Sequence, residues 1–95
     1  MPAIGAIKYD KLSRLIGTPS CPVLVDLRAT GDFVPRAVRR DAERVSEWAG
    51  GLAGRSVVAI CEDGAVSAGV AAWLRHEGAD AELLEGGVKA WAAEI

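Results

Sequence analysis

The stretch Val57-Val58-Ala59-Ile60-Cys61-Glu62-Asp63-Gly64-Ala65-Val66-Ser67 decides how the chain is read. Four apolar residues, three of them β-branched, run without polar alternation and predict a strand buried on both faces. From Ser67 to His76 the chain is apolar on most sides, through Ala68, Val70, Ala71, Trp73 and Leu74. That pattern predicts a helix wedged against a sheet. Cys61 then falls at the carboxyl end of a strand, on a turn into a helix whose first N–H groups lack partners within the helix. Those groups and the helix dipole favour an anion, either a thiolate or the oxyanion it attacks.

Outward from this turn, strands and helices alternate. Val23-Leu24-Val25 predicts a second buried strand, ending in Asp26-Leu27-Arg28, so charged groups collect at the edge where open α/β sheets build their sites. Ala81 to Leu84 predicts a third strand, followed by Gly86-Gly87 and a last helix carrying Val88, Trp91, Ala92 and Ile95. Near the start, Ala6-Ile7 predicts a short strand. Asp10 to Ile16 predicts a helix with Asp10 as its N-cap and Leu12, Leu15 and Ile16 on one apolar stripe. Gly17 and Pro19 stop it. Between the first two buried strands lie Asp32-Phe33 and then Val34 to Val38, a loop leading into a very short strand. Val45, Trp48, Ala49 and Leu52 then predict a helix of about three turns, closed by Gly50-Gly51 and Gly54. Such alternation implies parallel pairing through right-handed crossovers, and one α/β domain over residues 1–95.

Composition excludes several classes. At 95 residues and 51 % hydrophobic content the chain is large enough for a core without metal or disulfide. A net charge of −2 gives no general attraction to nucleic acid or anionic membranes. The longest nearly apolar stretch, Ala65 to Leu74, is far short of the roughly 20 residues that span a bilayer. Met1 to Gly5 lacks the basic start and apolar core of a signal peptide. Two cysteines and one histidine make neither a disulfide framework nor a zinc site, so a reducing cytoplasm is expected.

In order and spacing, several pieces together resemble a rhodanese-like (sulfurtransferase) domain over nearly the whole length. They are Val25-Asp26-Leu27-Arg28, Asp32-Phe33, Val34-Pro35-Arg36-Ala37, Cys61-x-x-Gly64-x-x-Ser67, and Leu84-Glu85-Gly86-Gly87-Val88-Lys89-Ala90-Trp91. The runs Ala37-Val38-Arg39-Arg40 and Ala71 to Gly78 look closest to the rhodanese modules associated with chromate-resistance proteins.

The resemblance implies an α/β rhodanese-like fold, with a small parallel sheet of about five strands flanked by helices on both faces. It implies that Cys61 accepts sulfane sulfur from a small-molecule or protein-bound donor, holds it as a persulfide, and passes it to a thiophilic acceptor. This is covalent catalysis without a cofactor. Glu62, Asp63, Gly64, Ala65, Val66 and Ser67 would bind the substrate, with Asp26 and Arg28 in support. Sulfur-handling members carry a six-residue loop counted from the cysteine, as Cys61 to Val66 does, with Ser67 opening the helix. Phosphatases of the same fold carry seven and a closing arginine. The alternative is a catalytically silent rhodanese-like module serving interaction or regulation in a larger assembly.

The sequence departs from the family in three respects. Val66 stands where Arg, Lys or Thr is frequent, which leaves an anionic loop without a cationic partner. The segment between Phe33 and Pro35 is short, and Arg36 replaces a glycine. Glu62 and Asp63 flank the cysteine; a carboxylate roughly 7 Å away costs a thiolate about 0.6 to 2.4 kcal/mol at dielectrics between about 80 and 20. The expectation is weak activity with doubly charged thiosulfate.

Plainer roles stand beside these. A free cysteine is commonly a small buried hydrophobe, and Cys21 before Pro22 reads as structural. Asp26 and Arg28 suit bracing of loops. His76 complements the end of its helix. Arg36, Arg39 and Arg40 form a basic cluster of the solvated kind, and Trp48, Trp73 and Trp91 read as core.

Overall fold

The computed structural model describes residues 5–28, 37–62 and 65–89. Five parallel strands form one sheet: β1 (Ala6–Ile7), β2 (Val23–Asp26), β3 (Val38–Arg39), β4 (Ser56–Ile60) and β5 (Asp80–Leu84), in the order β1-β5-β4-β2-β3. The two most apolar strands, β2 and β4, are central neighbours, in register from Val23 opposite Val57 to Asp26 opposite Ile60. Burial on both faces explains their unbroken apolar runs.

Alternation along the strands sorts side chains into two cores. On one face Val25, Leu27, Val57, Ala59 and Cys61 pack with Val70, Ala71 and Leu74 of α3 (Ala65–His76). On the other, Leu24, Val58, Ile60 and Leu84 pack around Leu12 of α1 (Tyr9–Leu15). The expected architecture, helices on both faces of a five-stranded parallel sheet, is what forms.

Details differ. Helix α1 starts at Tyr9, with Lys8 at the N-cap and no side-chain cap. Asp10 lies inside the first turn, where its carbonyl accepts bonds from Ser13 Oγ and Arg14 Nε. The three-turn helix expected around Trp48 is a single α-turn, α2 (Val45–Trp48), between 3-10 turns at Ala42–Arg44 and Ala49–Leu52. Gly50 and Gly51 have poor helix propensity and fall inside that second 3-10 turn rather than after it. Helix α3 starts two residues earlier than expected, at Ala65.

Trp73 is 42 % exposed, not core. Ser67, Val70, Ala71 and Leu74 form the buried i, i+3, i+4, i+7 stripe of α3, and Trp73 lies outside it. Trp48 is half-buried, its Nε1 donating to the Asp41 carbonyl at 2.9 Å. Gly78 ends α3 with φ +96°, a left-handed conformation suited to glycine. Residues 87–89 begin a helical turn directly after Gly86. Trp91 and the other residues expected in a last helix beyond Lys89, together with Asp32-Phe33 and Val34 to Arg36, lie outside the described residues.

Candidate active site

Cys61 follows the last residue of β4 and is 4 % exposed. Its neighbour across the sheet is set by the register: the Leu27 N–H donates to the Ile60 carbonyl at 2.8 Å, so Leu27 lies beside the end of β4. The backbone on the far side is tied down as well. The Val88 N–H donates to the Cys61 carbonyl at 2.8 Å and the Lys89 N–H to the Glu62 carbonyl at 3.1 Å. The turn after Gly86 therefore clamps the start of the cysteine loop.

Ser67 is the third residue of α3 and fully buried. Its N–H, one of those that the first turn of a helix cannot satisfy internally, donates to Cys61 Sγ at 3.3 Å. Ser67 Oγ is also 3.3 Å from Sγ. As a thiol, Cys61 donates to that hydroxyl oxygen; as a thiolate, its sulfur accepts from the hydroxyl. A backbone N–H and a hydroxyl at a helix start are groups able to stabilise an anionic sulfur.

The other loop residues divide. Val66 is 50 % exposed, and Glu62 is exposed without a described ion pair. Ala65 opens α3. Asp63 and Gly64 lie outside the described residues. A carboxylate as exposed as that of Glu62 acts on the sulfur through solvent, so its influence is small and screened by salt. Glu62→Gln is expected to speed alkylation of Cys61 by iodoacetamide about twofold at pH 7 and low salt, with the gain gone near 1 M salt. Equal rates at low salt would place this carboxylate outside the range of the sulfur.

Asp26, 1 % exposed, organises the neighbouring edge. Its Oδ1 accepts from the Arg28 N–H at 3.0 Å and Arg28 Nε at 3.1 Å. Its Oδ2 accepts from Arg28 Nη2 at 3.0 Å and Arg39 Nη2 at 3.4 Å. Burial by itself would push this carboxyl up. The Arg28 hydrogen bonds and the charges of Arg28 and Arg39 outweigh it and hold the group below its ordinary value. The register of β2 with β3, Asp26 opposite Arg39, makes the second ion pair.

Among the described residues no cation pairs with Glu62, but arginines gather near Val66. A cleft of about 610 Å³ runs from Val66 past Leu27 and is lined by Arg28, Arg39 and Arg40. Asp41 and Glu43 share its wall. Sequence distance hid this: β3 brings Arg39 and Arg40 alongside Asp26 and Leu27 through parallel pairing that no local pattern encodes. Arg39 is not a solvated residue, since its side chain is 22 % exposed and paired with Asp26. Arg36 lies outside the described residues.

Cys21 does not join the site. It precedes β2 while Cys61 follows β4, so the two are roughly 20 Å apart at about 3.3 Å per strand residue. A disulfide needs its Cα atoms within about 7 Å. Among the described residues no three His, Cys, Asp or Glu side chains converge on a metal position, and no helix is long and apolar enough to cross a membrane.

Comparison with known proteins places this geometry. The model of the rhodanese-like domain family matches residues 8–94. Among solved structures, the chain is similar to a rhodanese homologue from the extreme thermophile Thermus thermophilus, with 28 % identity and TM-score 0.75 over 90 % of this chain and 99 % of that one. It is also similar to a rhodanese-like domain protein from Staphylococcus aureus, with 24 % identity and TM-score 0.83 over 93 % and 91 %. A thiosulfate sulfurtransferase from Pseudomonas aeruginosa shares the fold at 20 % identity and TM-score 0.79, over 98 % of this chain and 19 % of that one. A comparison with curated proteins found no match.

Proposed function

We propose, for a chain that belongs to the rhodanese-like domain family, that Cys61 carries sulfane sulfur as a persulfide between a donor and a thiophilic acceptor. The observation that supports this most is the Ser67 N–H at 3.3 Å from Cys61 Sγ, at the start of α3. The thiolate attacks the outer sulfur of the donor. A bond from Sγ to that sulfur forms, the donor's own S–S bond breaks, and the leaving group departs with the electron pair. A nucleophilic acceptor then takes the outer sulfur and Cys61 leaves as thiolate. Electrons balance without an external oxidant or reductant.

Thiosulfate is a poor donor in this reading. Arg28 and Arg39 spend their charge on Asp26, and Asp41 and Glu43 share the cleft wall with Arg40, so three cations meet three carboxylates. Glu62 and Asp63, the two residues that follow Cys61 in the sequence, add two further carboxylates to the loop. A polysulfide or a protein-bound persulfide, acting in the cytoplasm, suits the site better. Within the family, the modules associated with chromate-resistance proteins are the proposed subgroup, supported by the runs at 37–40 and 71–78.

The test is intact mass after incubation with polysulfide or with thiosulfate. One added sulfur atom from polysulfide, absent in Cys61→Ser and slower to appear from thiosulfate, is the expected result. A second reading, a silent interaction module, is favoured by the 4 % exposure of Cys61. Failure to gain sulfur from any donor would select it.

A further inference from the structure

A second cavity of about 250 Å³ lies on the same face of the sheet as Cys61, beside the arginine-lined cleft. Val23 and Val25 of β2 floor it, and Val38, Trp48 and Leu52 wall it, so its lining is mostly apolar. Trp48 is fixed there by its Nε1 bond to the Asp41 carbonyl. At the roughly 30 Å³ that a water occupies in the liquid, the cavity takes about eight atoms of that size, such as a phenyl ring or a short branched chain. That is less than a whole drug-sized ligand requires.

One polar side chain closes it. Arg40 lines this cavity and also the cleft that reaches Val66. The register explains the position. Val38 pairs with Val25 and Arg39 with Asp26, and the Arg40 N–H donates to the Asp26 carbonyl at 2.9 Å. Arg40 thus has the parity of Val38 and falls beside Leu27, on the Cys61 face, whereas Arg39 turns to Asp26. Its guanidinium donates through Nη1 to the Arg39 carbonyl at 3.0 Å and forms no ion pair among the described residues. An exposed cation at the rim of a mostly apolar cavity, with donors to spare, matches a carboxylate whose apolar arm enters that cavity.

We propose that this cavity binds a small organic carboxylate with an aromatic or branched apolar arm, the arm against Trp48 and the carboxylate on Arg40. Arg40 then holds the ligand at the head of the cleft. That the ligand is a sulfur acceptor bearing a thiol rests on the sulfur-transfer reading above, whereas its binding does not.

Phenylacetate is the probe, titrated into the Cys61→Ser protein, which has no thiol at position 61, and followed by backbone and indole NMR shifts. The expected result is saturable movement of the Val23, Val25, Leu52 and Trp48 signals with Kd near 1 mM, the range open to so small a fragment. Arg40→Gln weakens it about tenfold and Arg40→Lys less. Val38→Asp, on an exposed edge position, places a repelling carboxylate on the wall and also abolishes it. Shifts that do not saturate, equal binding of acetate or of neutral phenylacetamide, or an affinity unmoved in both Arg40→Gln and Val38→Asp would overturn the proposal. Each of these outcomes is independent of whether Cys61 accepts sulfur.

Discussion

Replacing Asp26 by Asn is expected to lower the unfolding free energy at pH 7 by about 3 kcal/mol, the lower end of what breaking a buried ion pair costs. Asn keeps the shape and one acceptor oxygen for the Arg28 N–H, but removes the negative charge that Arg28 and Arg39 share in Asp26. Their side chains are 12 % and 22 % exposed, so solvent offsets part of the loss and the upper end of the range does not apply. For a domain of this size that loss lowers Tm by roughly 12 °C or more.

The pH dependence distinguishes charge from shape. A carboxyl held below its unfolded value of about 3.9 contributes stability that is fully present above that value and is lost as pH falls through the folded one. The gap between the native chain and Asp26→Asn, measured in urea, is therefore constant near neutrality and narrows below about pH 4. A gap of equal size at pH 7 and pH 3 would assign the effect to packing instead. The cleft should respond with stability, because the same carboxylate orients two of the arginines that line it.

What was legible beforehand follows from the range of each interaction. Val57 to Ile60 announces a buried strand through its own composition, and Cys61 at its end needs only the next few residues to be placed on a turn into a helix. Gly17 and Gly78 likewise mark the ends of α1 and α3 locally. The partners of Asp26 are another matter. Arg28 is two residues away, but Arg39 arrives through parallel pairing of β2 with β3, and parallel register has no hairpin to encode it. The arginine-lined cleft beside Val66 was illegible for the same reason. Trp73 shows a different failure. In a helix as rich in alanine as α3, large apolar residues look equally inward, yet the i, i+3, i+4, i+7 set from Ser67 to Leu74 already excludes Trp73. The signal was present in the spacing and was masked by side-chain size.

Ser67→Ala is expected to change the reactivity of Cys61 in opposite directions at low and high pH, with little change in fold stability. The hydroxyl 3.3 Å from Sγ is worth about 1.5–3 kcal/mol to a charged partner, by the ordinary range for such hydrogen bonds. Its loss reduces the thiolate fraction at neutral pH by roughly 10- to 100-fold. Each remaining thiolate, less stabilised, is the better nucleophile, and with a Brønsted slope near 0.4–0.5 about half of that factor on a logarithmic scale returns. Sulfur uptake from polysulfide at pH 7 therefore slows about 4- to 20-fold, while at pH well above thiol ionisation the variant reacts several-fold faster than the native chain. The Ser67 N–H stays in place, which is why the loss is partial rather than complete. Uptake rates measured across pH should cross. Parallel profiles with a uniform deficit would mean that the hydroxyl positions the donor rather than the sulfur, and identical profiles would remove Ser67 from the site.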